Sequence, residues 1–178
     1  LILRNGFQAT GINTVLDSAG VPKGSFYYYF RSKNDFGLAV IDAYAEAYRE
    51  RLDATLGDHS RTPLERIRLY FDTAVGDVAA SHYSKGCLIG NLGQELAAQN
   101  DAFRERLNDV FAAWEQRFRD CISEGQQQGE IAPEIDPTEA ASLLLSGWQG
   151  ALLRSKLTRS SEPLTCFRNL LFSRVFRS

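Results

Sequence analysis

The 178-residue sequence contains no methionine, only two histidines and two tryptophans, five prolines and three cysteines. Each scarcity removes a class of chemistry. Without methionine the chain lacks an initiator, and its first residues are expected to lie inside a helix. His59 and His82 are isolated, and neither forms a metal-ligand spacing with Cys87, Cys121 or Cys166. No metal and no cofactor are expected. An odd number of widely spaced cysteines argues against a disulfide framework and for a reducing, cytoplasmic setting. No apolar run approaches the roughly 18 to 20 residues of a membrane span, and no signal-peptide pattern opens the chain.

What is present is the composition of a globular domain, with 44% hydrophobic and 24% charged residues. The net charge of −2 hides an asymmetry. Residues 1–34 carry Arg4, Lys23, Arg31 and Lys33 against the single acid Asp17, whereas the remainder holds 16 basic and 21 acidic groups. A short basic head on an acidic body suggests a small contact with an anion such as a phosphate backbone.

Helical periodicity runs through nearly the whole chain, and no alternating strand pattern interrupts it. Thr62-Pro63-Leu64-Glu65 reads as a capping box, followed by the stripe Ile67, Tyr70, Phe71, Ala74, Val78 to about Ser81. Asn100 can cap a long helix lined by Phe103, Leu107, Val110, Phe111, Trp114, Phe118, Cys121 and Ile122, which Gly125 and Gly129 are expected to end. Asp136-Pro137-Thr138-Glu139 is a second cap, opening a helix to about Arg159, and Leu164, Phe167, Leu171 and Val175 mark a last one. The chain is read as all-α. The helix over 140–157 mixes Ser142, Ser146, Gly147 and Gly150 with bulky apolar residues, and that over 164–176 adds Phe167, Leu170, Leu171, Phe172, Val175 and Phe176. That pattern suits close helix packing, and an intersubunit four-helix bundle is expected there. A thick intramolecular core is the plainer alternative.

Residues 6–33 are the most informative. A short helix (Ile12–Ala19), a turn at Gly20-Val21-Pro22 and a second short helix (Lys23–Phe30) form a helix-turn-helix, whose second helix enters the major groove by its N-terminal residues. Ile12, Val15, Leu16 and Ala19 face inward on the first helix, and Val21, Phe26 and Phe30 pin the second. Three consecutive tyrosines are too polar for core duty alone, and their hydroxyls suit phosphate oxygens.

Gly6-Phe7-x-Ala9-Thr10, Ala19-Gly20-Val21-x-Lys23-Gly24-Ser25-Phe26-Tyr27-x-Tyr29-Phe30 and Ser32-Lys33-x-x-Phe36 closely resemble the DNA-binding domain of the TetR/AcrR family of bacterial transcriptional regulators. Gly86-Cys87-Leu88-Ile89-Gly90-Asn91-Leu92 and Gln94-Glu95-Leu96 resemble a narrower branch, that of the N-ethylmaleimide reductase repressor and other electrophile-responsive regulators. The resemblance implies about nine helices: a three-helix head (residues 1–34) and a six-helix ligand-binding and dimerisation body (35–178). Leu1–Asn5 would be the stub of a truncated first helix, so the head is expected to be loosened. It assigns Lys23, Gly24 and Ser25 to the opening of the recognition helix, where Lys23 reaches base-edge acceptors. Tyr27 and Tyr29 match phosphate-contacting positions, Lys33 starts the fourth helix facing the backbone, and Asn13 and Thr14 hold the other flank. Tyr28 either joins the contact or packs between helices.

Family members bind small molecules in the body. Phe71, Phe111, Trp114, Phe118 and Trp148, with Asn91, Gln94 and Gln149 as polar partners, fit an apolar cavity of that kind, although aromatic stripes also build cores. Cys87 follows Gly86 and adjoins Lys85 near a helix start, where unpaired amides favour a thiolate reactive toward electrophiles and oxidants. A small buried hydrophobe is the alternative. Lys156 is a candidate partner for an oxidised Cys87, whereas Cys121 and Cys166 read as packing residues. The reading is therefore a homodimeric repressor on a palindromic DNA operator, released by a small-molecule or electrophilic inducer and not tied to a membrane. The competing readings are a thiol-dependent enzyme using Cys87 with His82 as base, and a ligand-binding module of the same fold without DNA binding.

Overall fold

A computed structural model describes residues 1–176. Among the described residues there are nine α-helices and no strand: α1 (Ile2–Asn5), α2 (Ile12–Ala19), α3 (Lys23–Tyr29), α4 (Lys33–Thr55), α5 (Pro63–Ala80), α6 (Leu88–Leu96), α7 (Asp101–Gln127), α8 (Pro137–Thr158) and α9 (Glu162–Leu170). A π-helical turn, Leu171–Val175, follows α9. The helix starts follow local chemistry. Thr62 accepts the Glu65 amide at 3.4 Å while the Glu65 carboxylate accepts the Thr62 amide at 3.1 Å, closing the expected capping box. Asn100 Oδ1 accepts from Phe103 N at the head of α7. Asp136 accepts from the Thr138 and Glu139 amides at 2.7 and 3.2 Å, and those bonds hold its carboxyl below the usual value.

The chain forms two compact units, residues 1–47 with 87–110 and residues 48–86 with 111–178. In the first, Phe7, Leu16, Phe26, Ile41, Leu88, Ile89, Leu92, Phe103 and Leu107 are buried. In the second, Ile67, Tyr70, Phe71, Phe118, Leu144, Trp148, Leu164 and Phe176 are buried.

Three sequence expectations change. α7 runs through Gly125 to Gln127, because this glycine serves packing: a Cβ there would stand 2.8 Å from Ile131 Cδ1. Gly129, at φ +75°, lies past the helix end. Gly147, read as a residue for intersubunit approach, is occupied within the chain, since a Cβ there would collide with the Phe167 ring of α9. Cys166, expected to pack, is exposed on α9. Leu164 and Leu171 likewise turn into the chain's own core, and the exposed apolar residues of this region are Leu143, Leu153, Leu157 and Leu170.

Candidate nucleic-acid interface and the aromatic body

α2 ends where Gly20 enters the left-handed region at φ +65°, a conformation cheap only for glycine, and its amide and that of Val21 bond back to Asp17 O and Leu16 O. Pro22, extended at φ −61° and ψ 142°, then starts α3. α3 is anchored by Phe26, whose ring lies 5.3 Å from that of Phe30 and 5.6 Å from that of Phe36 on α4. Leu16 is the buried anchor of α2, with Ile12 and Val15 half-buried, while Ala19 and Val21 are exposed. This pair of helices is a helix-turn-helix.

The opposite face of α3 faces solvent. Tyr27, Tyr28 and Tyr29 are 59%, 82% and 72% exposed, and Tyr28 rests only its edge against Tyr29 at 4.9 Å. Packing between helices therefore does not account for Tyr28. Lys23 and Gly24 are exposed at the start of the same helix with Ser25 half-buried, and Asn13 and Thr14 are exposed on α2. Lys33 differs. Its ammonium donates to Gln8 O at 3.0 Å and lies 4.9 Å over the Phe7 ring, so it is held by the α1–α2 loop. A phosphate contact from Lys33 would share its ammonium with that carbonyl.

The loop itself explains the Gly-Phe-x-Ala-Thr pattern. Gly6 adopts φ +83° and lets the Glu95 carboxylate of α6 come within 3.1 Å of where a Cβ would sit. Phe7 is buried against Phe103 at a ring distance of 5.2 Å, and the Thr10 hydroxyl donates to Gly6 O.

The ligand candidates divide between the units. Cys87, Asn91 and Gln94 lie in the first unit on α6 or its cap. Cys87 is the residue before α6, is 6% exposed and accepts the Asn91 amide on its carbonyl at 2.9 Å; Asn91 is half-buried and Gln94 exposed. The other six lie in the second unit, where the aromatics pack on one another. Phe71 meets Trp148 edge-on at 4.8 Å and Phe118 at 6.4 Å, and Trp114 stacks on Tyr48 at 4.1 Å and meets Phe111 at 5.6 Å. Gln149 is half-buried and Lys156 exposed.

A group that helical periodicity did not single out sits beside a cavity of about 190 Å³ lined in part by Leu56, His59, Arg66, Arg117, Cys121 and Glu124. Arg66 is 1% exposed; it donates to Leu56 O at 2.9 Å and to His59 Nδ1 at 3.1 Å, and pairs with Glu124. Hydrogen bonding from Arg66 holds the Glu124 carboxyl below its usual range. Burial pushes the Cys121 thiol up to about 11, with Sγ 3.4 Å from Pro63 O, which fits its reading as a packing residue. The signal for Arg66 was its place on the buried stripe at Ile67 and Tyr70, where an arginine requires a partner.

The fold and the exposed second helix define a DNA-binding transcriptional regulator of helix-turn-helix type. Residues 1–40 match the model "Bacterial regulatory proteins, tetR family", and residues 63–171 match "Tetracyclin repressor-like, C-terminal domain". The chain is 42% identical to the transcriptional regulator AcuR of Cereibacter sphaeroides, over 93% of this chain and 76% of that protein. It is 30% identical to the transcriptional repressor NemR of Escherichia coli, over 92% of this chain and 82% of that one. The crystal structure of NemR in its reduced form superposes with a TM-score of 0.86 at 28% identity, covering 98% of this chain and 90% of that one. The crystal structure of regulatory protein TetR from Rhodobacter sphaeroides superposes at 0.91 with 40% identity, covering 96% and 90%. The chain belongs to the TetR family of bacterial regulators, with a resemblance to the NemR branch, and is a DNA-binding regulator and not a thiol-dependent enzyme. No helix among the described residues is long and apolar enough to cross a membrane.

Proposed function

We propose that this regulator is a repressor that docks on a palindromic operator as a homodimer and leaves it when a small molecule, an electrophile or an oxidant acts on the body. Residues 1–34 are the DNA-binding head and residues 35–178 the ligand-binding and dimerisation body. The observation that carries the operator reading is the exposure of Tyr27, Tyr28 and Tyr29 beside Lys23 on α3. Three neighbouring aromatic residues left in water need a partner, and hydroxyls with an ammonium on a short helix suit phosphates and base edges. Lys23, Gly24 and Ser25 then face the groove, with Asn13, Thr14 and Lys33 at the flanks. Exposed Leu143, Leu153, Leu157 and Leu170 supply the apolar surface of a two-fold interface.

The inducer acts at or near Cys87. Cys87 is the residue that precedes α6, and its sulfur adds to an activated double bond or is oxidised by a peroxide-type or hypochlorite-type oxidant to sulfenic acid. For a non-covalent ligand the proposed contacts are, each within its own unit, Asn91 and Gln94 in the first and Phe71, Phe111, Trp114, Phe118, Trp148 and Gln149 in the second. At 6% exposure, Cys87 selects small reagents. The experiment is operator release by a panel of electrophiles and oxidants, comparing the parent with Cys87→Ser. Both carry Cys166→Ser, because the exposed Cys166 reacts with the same reagents. Release of the parent alone is the expected result. Equal release of both would make Cys87 a packing residue and the inducer non-covalent.

A further inference from the structure

α6 starts just after Cys87 and carries Glu95 near its far end, eight residues from Cys87 or about 12 Å of helix axis away. The two carboxylate oxygens of Glu95 are each committed to the head: Oε2 accepts from Phe7 N at 2.9 Å and Oε1 from Gln8 N at 2.7 Å. A second strand of bonds runs alongside, with Gln8 Nε2 donating to Gln99 Oε1 at 2.6 Å and Gln99 Nε2 donating to Glu95 O at 3.0 Å. On its other side the same loop holds Lys33, whose ammonium bonds Gln8 O, and leads directly into α2. A carboxylate spanning two adjacent amides fixes direction as well as distance, since each oxygen has its own donor. Gly6 permits the approach; any side chain there would meet the Glu95 oxygens and a strained φ.

We propose that Glu95 is the positioning residue through which α6 sets the head: its carboxylate latches the Phe7–Gln8 backbone, and a shift of α6 is passed to α2 and α3 through that latch. The inference rests on the reading that inducers act at Cys87, where a regulatory event bears directly on the start of α6. The latch has a second consequence that does not depend on Cys87. With or without an inducer, it holds the loop against which Lys33 and α2 are set.

The test uses the full chain carrying Cys166→Ser as the parent, a fluorescent duplex carrying the gene's own upstream region, and N-ethylmaleimide as the probe at Cys87. In Glu95→Gln one of the two amides faces an NH2 group in place of an acceptor. Affinity of the untreated variant for the duplex is expected to fall about tenfold. The ratio of affinities before and after alkylation, well above one in the parent, is expected to fall toward one. A purely structural role would lower affinity and leave that ratio intact. Hydrogen exchange in the peptide spanning residues 6–10 is expected to quicken in the variant and in the alkylated parent. Gln99→Ala, an exposed change that leaves Glu95 in place, should move both quantities in the same direction by a smaller factor and serves if Glu95→Gln folds poorly. Unchanged affinity and an unchanged ratio in a folded variant overturn the latch. If the parent itself is not released by alkylation, the Cys87 reading fails, and the latch stands or falls on untreated affinity and exchange.

Discussion

Glu124→Gln isolates one ion pair, and the structure sets its cost. Arg66 is 1% exposed, so its guanidinium has given up nearly all hydration and depends on Leu56 O, His59 Nδ1 and the Glu124 carboxylate. Removing one partner of a fully buried pair costs about 3–5 kcal/mol, because the remaining charge stays in low dielectric. Glu124 keeps about a third of its side chain in water (34% exposed), and the glutamine amide oxygen can still accept one bond, so a discounted loss of about 2 kcal/mol is expected. For a chain of this size that is a fall of about 4–8 °C in the melting midpoint at neutral pH. The pH dependence follows from the direction of the shift. The Glu124 carboxyl is held below its ordinary 4.5, chiefly by hydrogen bonding from Arg66. A carboxyl whose folded value lies under its unfolded one contributes stability fully above the unfolded value and loses it as pH falls through the folded value. The gap between parent and variant should therefore be constant from pH 7 to about 5 and close below 4.5. Differential scanning fluorimetry over that range measures it. A variant that melts with the parent at pH 7, or a gap that widens in acid, would refute the argument.

Two further outcomes test the interface and the assembly. Lys23→Ala should weaken binding to the operator by about 1–3 kcal/mol and less to unrelated DNA, whereas Tyr28→Phe should weaken both alike while leaving the melting midpoint unchanged; competition binding against random duplex separates the two patterns, and equal loss for both variants contradicts the assignment. Leu157→Glu, at a residue 71% exposed on α8, should give folded monomers that no longer bind the operator, read by light scattering and circular dichroism; a dimer of parental stability would place the interface elsewhere.

The parts legible from sequence were those governed by local rules. Caps at Thr62, Asn100 and Asp136, the left-handed turn at Gly20 and the burial of Phe26 each depend on residues within a few positions, so spacing alone located them. The exposure of Tyr27 and Tyr29 was legible for a related reason, since Phe26 and Phe30 claim the inward face of α3. For Tyr28 the sequence left packing and exposure both open, and the fold exposes it. What spacing could not show was which element each buried face would meet. Gly125 and Gly147 resembled a helix-breaking and an intersubunit glycine respectively, yet each makes room for a side chain beyond its own helix, Ile131 in the loop after α7 and Phe167 on α9. Glu95 and Arg66 were missed for the same reason, since their partners lie up to 88 residues away along the chain and no periodicity records a carboxylate's donors. Lys33 shows how this alters function. Its position beside a phosphate-facing helix suggested a free cation, but the fold gives its ammonium to a carbonyl in the loop that Glu95 also holds. A charge held in this way is aimed, and whatever moves the loop also moves the charge.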